Sequence, residues 1–319
     1  MNMAGAPKIS VCMIAYNHEK YIQEAVASVL MQKVDCSYEL IIGEDFSTDN
    51  TRGILVGLQK KHPERIRLLL SVTNLGPHEN FRRTIACCRG EYLAYLDGDD
   101  YWTSPDKLQR QVEYLIAHPE CSMVFSSISV IRGSEQNLWR PTNPQSVYKL
   151  VDLFVDNFIP ICSALYRNIY GGVLPNWIDK APFGDWPFHV LHALRGDIGY
   201  FDEPMAAYRV HSGGAWTSKP GLAKHQETLA MAKLFSLNLP ATISREPLKR
   251  LELKCSKEIV YRCLVWGTEP RHGRREALLL FCGGHWPFDT VGDFLRFLVW
   301  FFCPFLGIFF RRISLMLKH

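Results

Sequence analysis

Residues 92–102 read YLAYLDGDDYW, in which an apolar run of strand length is followed at once by three carboxylates within four residues. Like charges this close repel one another in water, and a turn beside a glycine needs only one aspartate. A cation would remove the repulsion, and hard divalent ions such as Mg²⁺ and Mn²⁺ choose oxygen ligands. The stretch therefore predicts a cation site beyond a buried strand, with a solvated acidic turn as the alternative. Its acidic residues are Asp97, Asp99 and Asp100.

Strand-like and helix-like segments alternate on both sides of this stretch. The predicted strands are Ile9–Ile14, Tyr38–Ile42, Ile66–Leu70, Tyr92–Leu96 and Met123–Ile131. Helical patterns lie between them at residues 19–30, 51–61, 81–88 and 106–117. This order predicts an α/β domain with a mostly parallel sheet covered by helices on both faces.

The segment after residue 131 is less regular. Residues 132–144 are polar and contain proline, which predicts a loop. Shorter elements follow, with helices at 150–155 and 186–194 and strands at 161–166, 198–201 and 206–210. Beyond Pro220 the pattern becomes helical, so we place a first domain at residues 1–218 and a helical extension at residues 219–319.

The composition excludes several classes of protein. The 319 residues are 47% hydrophobic and 21% charged, which fits a globular chain rather than a disordered or collagen-like one. A formal net charge of +4 is too mild to indicate nucleic acid as the main partner. The ten cysteines contain no Cys-x-x-Cys pair and follow no secretory leader, which predicts reduced thiols in a cytosol. His189 and His192 lack a third nearby ligand and are expected to be surface or core residues.

The extension combines a basic stretch with a very apolar one. Residues 245–276 carry nine Lys or Arg against five Glu, and residues 297–310 carry no charge. A helix as long as this uncharged run reaches about 21 Å, short of the roughly 30 Å hydrocarbon core of a membrane. Arginines border the run, so we expect an interfacial segment over about 294–317 on an anionic membrane surface. A buried core helix or a dimer contact is the alternative.

A second acidic pair follows the predicted strand Tyr38–Ile42. Ligands bind beyond the carboxyl ends of strands in parallel α/β sheets, which favours a functional position for Glu44 and Asp45. Ser47 and Asp49 have a simpler explanation, since both residue types favour turns and cap helices, and a helical pattern begins directly after them. Capping does not explain Asp45.

Three segments together resemble family 2 glycosyltransferases with the GT-A fold. They are Ala15-Tyr16-Asn17 at the end of the first strand, the stretch Glu44–Thr51, and Asp97–Trp102 with Pro105–Leu108. The resemblance is dense over residues 8–130, looser to about 215 and absent from the last hundred residues. It implies a Rossmann-like GT-A domain that transfers a sugar from a nucleotide diphosphate.

The resemblance also implies roles for individual side chains. The residues that it assigns to nucleotide-sugar binding are Ala15, Tyr16, Asn17, Glu19, Asp45, Ser47, Asp97, Gly98 and Arg209. Asp99 corresponds to a ligand of a Mn²⁺ or Mg²⁺ ion that bridges the diphosphate. Residues Tyr208-Arg209-Val210-His211 resemble a further segment of the family, which implies that His211 binds the metal or a phosphate. Asp185 corresponds to the base that takes the proton of the acceptor hydroxyl. Glu44 departs from the commoner aspartate at its position, and Gly184 stands where an acidic residue usually precedes the base.

Two of these assignments have structural alternatives. Asp185 is also well placed to cap a helix that Trp186-Pro187 opens, and Asp179 and Asp202 are then the other candidates for the base. His211 is as readily a structural residue as a ligand of metal or phosphate.

These observations predict an inverting, metal-dependent glycosyltransferase, peripheral on the cytoplasmic face of a membrane. Its donor is expected to be UDP-linked, and its acceptor a hydroxyl of a lipid-linked or cell-surface glycan. A dehydrogenase is excluded because no G-x-G-x-x-G follows the first strand. A sugar-1-phosphate nucleotidyltransferase would need a glycine-rich, basic loop that residues 16–19 do not provide. A catalytically silent membrane scaffold with the same fold is the alternative from a different class.

Overall fold

The computed structural model describes residues 8–214 and 219–265. Their contacts divide them into two compact units, one before and one after residues 215–218. The predicted interfacial segment at 294–317 lies outside the described residues. Among the residues that are described, no helix has both the length and the hydrophobicity needed to cross a membrane.

The first unit alternates strands and helices along the chain. Its strands are β1 (Ile9–Ala15), β2 (Tyr38–Glu44), β3 (Ile66–Leu70), β4 (Tyr92–Asp97), β5 (Tyr101–Trp102), β6 (Cys121–Arg132), β7 (Glu135–Trp139), β8 (Val147–Tyr148), β9 (Leu165–Arg167) and β10 (Asp197–Arg209). Its α-helices are α1 (Ile22–Leu30), α2 (Thr51–Lys61), α3 (Pro77–Ile85), α4 (Lys107–Ala117) and α5 (Asp185–Ala193), and 3₁₀ turns lie at Leu150–Phe154, Ile161–Ser163 and Asn176–Lys180. The bounds of α2 and β3 are the predicted ones.

One sheet carries all of these strands, in the order β3-β2-β1-β4-β9-β6-β10-β5, with β7 beside β6 and β8 beside β10. The pairs β2–β3, β1–β2, β1–β4 and β6–β10 are parallel, and β9 runs antiparallel to both β4 and β6. The α/β fold is confirmed, with parallel pairing throughout its first half and mixed pairing in its second. Ala15 lies opposite Glu44, and Ile14 opposite Asp97. The carboxyl ends of β1, β2 and β4 therefore meet at one edge.

Helices cover both faces of the sheet, as predicted. On one face Leu40 and Ile42 of β2 are fully buried in a cluster with Ile22 of α1 and Leu55 of α2. Gly43 points to the opposite face, where a Cβ would come within 2.0 Å of an α3 hydroxyl, so only glycine permits this close approach. On that face α3 and α5 also pack together through Phe81 and Phe188, whose ring centroids lie 5.4 Å apart.

Three segments differ most from their prediction, while the helix predicted at 81–88 is α3 and the one predicted at 150–155 is a 3₁₀ turn. The predicted loop 132–144 contains β7, which turns back from β6 at Gly133 with a φ of 58°, a conformation that glycine adopts without steric cost. The mostly exposed residues of β7 gave no apolar pattern. Residues 161–166 form a 3₁₀ turn and the start of β9 rather than one strand. The two short strands predicted at 198–210 are one strand, β10, whose register shifts around Pro204.

The second unit is a helical hairpin over its described residues. α6 (Gly221–Asn238) and α7 (Glu246–Val260) bury apolar side chains such as Phe235 and Leu251, and a π-helical turn follows at Tyr261–Val265. Lys249, Arg250 and Lys254 of α7 are exposed to solvent. The hairpin thus carries part of the basic stretch on its surface.

Two buried histidines of α5 belong to the core. His189 and His192 have no exposed surface. His189 Nδ1 lies 3.0 Å from the Tyr166 hydroxyl and its Nε2 lies 3.0 Å from the Ile159 carbonyl oxygen, while His192 Nδ1 lies 2.8 Å from the Phe188 carbonyl oxygen. The core alternative predicted for both residues is confirmed.

These histidines make stability depend on pH. Burial lowers the pKa of His189 to about 3 and that of His192 to about 4, whereas the unfolded chain protonates both near 6.5. As the pH falls from 6.5 to 4, the unfolded state binds protons at these histidines and the folded state does not. The free energy of unfolding therefore falls, by up to about 1.4 kcal/mol per pH unit for each histidine. Urea unfolding at pH 7 and pH 5 measures how much free energy of unfolding is lost on acidification. We expect a smaller loss for His189→Gln than for the unaltered chain, and equal losses would contradict this.

Candidate active site

Polar side chains tie the turn after β1 to the turn after β2. Buried Ala15 ends β1, and Tyr16 leaves 42% of its surface exposed. Asn17 has a φ of 56°, a left-handed conformation that asparagine adopts more readily than most residues. Its backbone N–H donates to Ser47 Oγ at 3.0 Å, and its Oδ1 accepts from the Thr48 N–H at 2.8 Å. The predicted nucleotide-binding residues Asn17 and Ser47 are thus direct partners.

A second bridge joins the same two turns. The Glu19 N–H donates to Asp49 Oδ2 at 3.0 Å, and the Asn50 N–H donates to Glu19 Oε2 at 3.0 Å. Asp49 Oδ1 also accepts from the N–H of Thr51, the first residue of α2, at 2.9 Å. Asp49 therefore has the local turn role that its position predicted, and Glu19 braces the two turns against each other.

Asp45 is buried where β2 ends. Its two carboxylate oxygens accept from the backbone N–H groups of Leu75 and Gly76 at 2.8 and 2.9 Å, so it shapes the segment that leads into α3. The neighbouring Glu44 accepts from the Ser47 N–H at 2.6 Å and from Arg52 Nε at 2.5 Å. The assignment of Asp45 to the nucleotide base stays a prediction, and its present partners fix its position.

The acidic turn begins at the last residue of β4. The Gly98 N–H donates to the Ile14 carbonyl oxygen at 2.9 Å, which holds the turn against the end of β1. Asp97 Oδ1 accepts from the Tyr95 hydroxyl at 2.6 Å, and Asp100 Oδ1 accepts from the Arg209 N–H at 2.9 Å. One carboxylate oxygen from each of the three aspartates lies within 4.8 Å of the other two. This cluster is compatible with the predicted cation site, and the cation itself stays a prediction.

The aspartates of this turn are poorly compensated electrostatically. Burial, together with the charge of Asp99, raises the pKa of Asp97 to about 7 and raises that of Asp100 well above its ordinary value. A raised carboxyl pKa means that the environment disfavours the charged form. A divalent cation would reverse that preference, so the donor set fits the predicted metal.

Arg209 and His211, from the end of β10, close the other side of the turn. The guanidinium of Arg209 donates to the Asp99 carbonyl oxygen at 2.6 Å, forms an ion pair with Glu24 and lies 4.2 Å from the ring centroid of Tyr101. His211 Nε2 lies 2.9 Å from Asp99 Oδ2. The two predicted ligands Asp99 and His211 are therefore in direct contact.

A second histidine, His18, also faces Asp99, and no sequence motif indicated it. Its Nε2 lies 3.7 Å from Asp99 Oδ2. Burial lowers the pKa of His18 below its ordinary value, although the charge of Asp99 acts to raise it. His18 follows the end of β1, and only the pairing of β1 with the strand that ends at Asp97 brings it to the turn.

Asp185 lies at the first residue of α5. Its Oδ1 accepts from the Trp186 N–H at 2.8 Å, and its Oδ2 accepts from Asn157 Nδ2 at 2.9 Å. Burial raises the pKa of Asp185, while these two hydrogen bonds act to lower it. The charge of Asp185 also contributes to the raised pKa of Asp97. The two carboxylates therefore interact electrostatically.

The two other candidates for the base have partners elsewhere. Asp179 forms an ion pair with Arg82 at 3.3 Å. Asp202 accepts from the Tyr200 hydroxyl at 2.8 Å and lies 3.4 Å from Arg140. All three carboxylates thus have local partners, and Asp185 differs in that its charge acts on Asp97 of the acidic turn. The catalytic role of Asp185 stays a prediction.

Comparisons with known proteins agree with this architecture. Residues 10–202 match the family described as glycosyl transferase family 2. An uncharacterized protein of Mycobacterium tuberculosis is 38% identical over 218 residues, 66% of this chain and 61% of that protein, so the chain spans less than two thirds of that relative. TuaG of Bacillus subtilis, named as a candidate glycosyltransferase of teichuronic acid biosynthesis, is 36% identical over 125 residues, 39% of this chain and 48% of TuaG.

Two solved structures share the fold at low sequence identity. TarS of S. aureus (residues 1–349) in complex with UDP-GlcNAc superposes with a TM-score of 0.52 at 16% identity, covering 88% of this chain and 93% of that one. The mannosyltransferase PcManGT of Pyrobaculum calidifontis, in complex with GDP-Man and Mn²⁺, has a TM-score of 0.52 at 14% identity, covering 98% of this chain and 85% of that one. With the family match over residues 10–202, the chain belongs to glycosyltransferase family 2 and has the GT-A fold.

Proposed function

We propose that this chain is a metal-dependent, inverting glycosyltransferase. One observation carries the proposal: the partly buried acidic turn after β4 gathers three carboxylates and lies against His211 and Arg209. The charge of Asp185 also acts on Asp97 of this turn. A leaving diphosphate needs positive charge beside it, and an attacking hydroxyl needs a base. This edge of the sheet offers residues for both tasks.

Several features support a nucleotide-diphosphate sugar as donor. Asp99 and His211 would hold a divalent ion, which supplies positive charge to the diphosphate as it leaves. Arg209 would add a second positive charge beside the same turn. The TarS and PcManGT structures contain UDP-GlcNAc and GDP-Man, respectively, which supports this donor class. We propose a UDP-linked sugar because the carboxylate of Asp45, beside the turn after β2, can accept the N–H of uracil.

The proposed chemistry is a single displacement. Asp185 accepts the proton of the acceptor hydroxyl while the hydroxyl oxygen forms a bond to the anomeric carbon. The bond between that carbon and the diphosphate oxygen breaks, and its electron pair leaves with the diphosphate. Attack from the face opposite the leaving group inverts the anomeric configuration, as in single-displacement glycosidases.

We further propose a lipid-linked or cell-surface glycan as acceptor and a peripheral position on the cytoplasmic face of a membrane. The name of TuaG, which refers to teichuronic acid biosynthesis, supports a surface glycan. The exposed basic side chains of α7 and the uncharged run at 297–310 support an anionic membrane surface, since each Lys or Arg near such a surface contributes about 1 kcal/mol.

Vesicle sedimentation tests the membrane proposal. The full chain should pellet with vesicles that contain anionic lipid, and less so as salt screens the attraction. A chain that ends at Gly292 should stay in the supernatant. Equal pelleting of both chains would remove residues 293–319 from the membrane contact.

A transfer assay tests the activity itself. The chain is incubated with a panel of UDP-sugars, Mn²⁺ and lipid-linked glycan acceptors, and the release of UDP and the anomeric configuration of the product are measured. We expect UDP release that stops with EDTA, and a product inverted relative to the donor. If no nucleotide binds with or without metal, a silent scaffold explains the fold better. If pyrophosphate appears from UTP and a sugar 1-phosphate, the enzyme is a nucleotidyltransferase.

A further inference from the structure

One carboxylate oxygen of the acidic turn faces two imidazoles. Asp99 Oδ2 lies 2.9 Å from His211 Nε2 and 3.7 Å from His18 Nε2. The two rings come from distant parts of the chain, His18 from the turn after β1 and His211 from the segment after β10. Their convergence on one oxygen cannot result from local turn geometry.

The His18 ring has no hydrogen-bond partner that explains its position. Its Nδ1 is buried and accepts or donates no hydrogen bond, and its Nε2 is too far from Asp99 for a normal one. A buried polar atom without a partner costs free energy. Packing alone would favour an apolar side chain here, so a function for the imidazole is expected.

Gly98 provides the space in which this ring lies. A Cβ on Gly98 would come within 2.8 Å of His18 Nδ1 and of Ile22 Cδ1, and within 3.2 Å of the Ile14 carbonyl oxygen. The Ile14 carbonyl oxygen belongs to the backbone of β1 and is fixed, so a larger residue at position 98 would push the imidazole of His18 away from the turn. The glycine between Asp97 and Asp99 therefore permits His18 to approach the carboxylate.

We propose that His18 is a third protein ligand of the metal, so that Asp99, His211 and His18 form a site of two imidazoles and one carboxylate. The inference rests on the proposed function, since it concerns the same metal. Ligands in neighbouring positions on an ion with bonds of about 2.1 Å lie about 3 Å apart. His211 Nε2 already lies 2.9 Å from Asp99 Oδ2, and His18 Nε2, at 3.7 Å, would move closer when the ion binds. Asp97 and Asp100 already accept hydrogen bonds from Tyr95 and Arg209.

This donor set predicts which metal the chain prefers. Imidazole nitrogen suits first-row transition ions, whereas Mg²⁺ favours carboxylate and water oxygens. Two imidazoles therefore make the site selective for Mn²⁺ over Mg²⁺. Without His18 the set would hold one imidazole, and the selectivity would fall.

Pulsed electron paramagnetic resonance of Mn²⁺ bound to the full chain tests the proposal directly, because it detects imidazole nitrogens coordinated to the ion. The unaltered chain should show couplings to two such nitrogens, and His18→Gln should show one. Isothermal titration should give at least about tenfold weaker Mn²⁺ binding for His18→Gln, with a smaller change for Mg²⁺. Gly98→Ala should behave like His18→Gln, since it displaces the ring.

His118→Gln serves as the matched control, because His118 is an exposed histidine paired with Glu120 and should leave the two couplings unchanged. A single nitrogen in the unaltered chain, or unchanged Mn²⁺ affinity in His18→Gln, would overturn the proposal. Both readouts are independent of glycosyl transfer. If two imidazole nitrogens are detected in a chain that transfers no sugar, the metal site is supported and the proposed function alone is refuted. If one nitrogen is detected in an active enzyme, the role of His18 is refuted and the proposed function is supported.

Discussion

Replacement of Asp185 by asparagine is expected to lower kcat about 10²- to 10⁴-fold while nucleotide binding and Tm change little. An amide has the shape of the carboxylate but cannot take the proton of the acceptor hydroxyl. The fold should tolerate the change: Asn157 Oδ1 is buried without a partner, so turning the Asn157 amide would let this oxygen accept from the new side chain. UDP release with saturating donor and acceptor measures kcat, and thermal unfolding measures Tm.

Asp202→Asn is the matched control for this variant. Asp202 is a partly exposed carboxylate with partners outside the acidic turn, so its loss should change kcat less than about twofold. The base is wrongly assigned if Asp202→Asn inactivates the enzyme and Asp185→Asn does not.

The pH dependence of kcat gives a second view of the same residue. Asp185 acts as a base only when ionised, so kcat should rise with pH through its pKa, which burial places above the ordinary aspartate value. Asn157 Nδ2 donates to the ionised form and so lowers that pKa. Asn157→Leu removes the donor, and the acidic limb of the profile should move to higher pH. A limb that stays in place would separate Asn157 from the base.

Replacement of Asp99 by asparagine is expected to lower kcat/KM by more than about 10³-fold, because it removes the carboxylate that would hold the ion on the leaving diphosphate. The amide oxygen can still accept from His211 Nε2, so Tm should change little. Titration should show that Mn²⁺ binding is lost, and that UDP binding no longer increases when Mn²⁺ is added.

Glu113→Gln provides a control in which an exposed carboxylate of α4, whose partner is Gln109, is neutralised. It should bind Mn²⁺ and turn over donor like the unaltered chain. An Asp99→Asn enzyme that keeps its activity and its response to Mn²⁺ would exclude Asp99 from the site.

The sequence was most informative where one physical cause dominates a segment. Ile66–Leu70 and Thr51–Lys61 were predicted to the residue because apolar periodicity and the His62-Pro63 stop act locally. The acidic turn was predicted because three carboxylates in four residues need a shared explanation. The hairpin strand β7 was missed because its side chains are mostly exposed and leave no alternation in hydrophobicity.

The partners of the site residues could not be read from the chain in the same way. The contact of His18 with Asp99 depends on β1 and β4 being neighbours in the sheet, which is a property of the fold. Asn157 reaches Asp185 from an irregular segment that has no periodic signal. The charge of Glu19 suggests a ligand contact, yet in the structure its carboxylate accepts from the Asn50 N–H.

A crystal of the full chain grown with Mn²⁺ and UDP tests the central claim most directly, because anomalous scattering at the manganese edge locates the ion without reference to any assay. We expect one strong anomalous peak beside Asp99 and His211, and diphosphate oxygens bound to the manganese ion at that position. Ordered UDP elsewhere, with no anomalous peak at the acidic turn, would contradict the account.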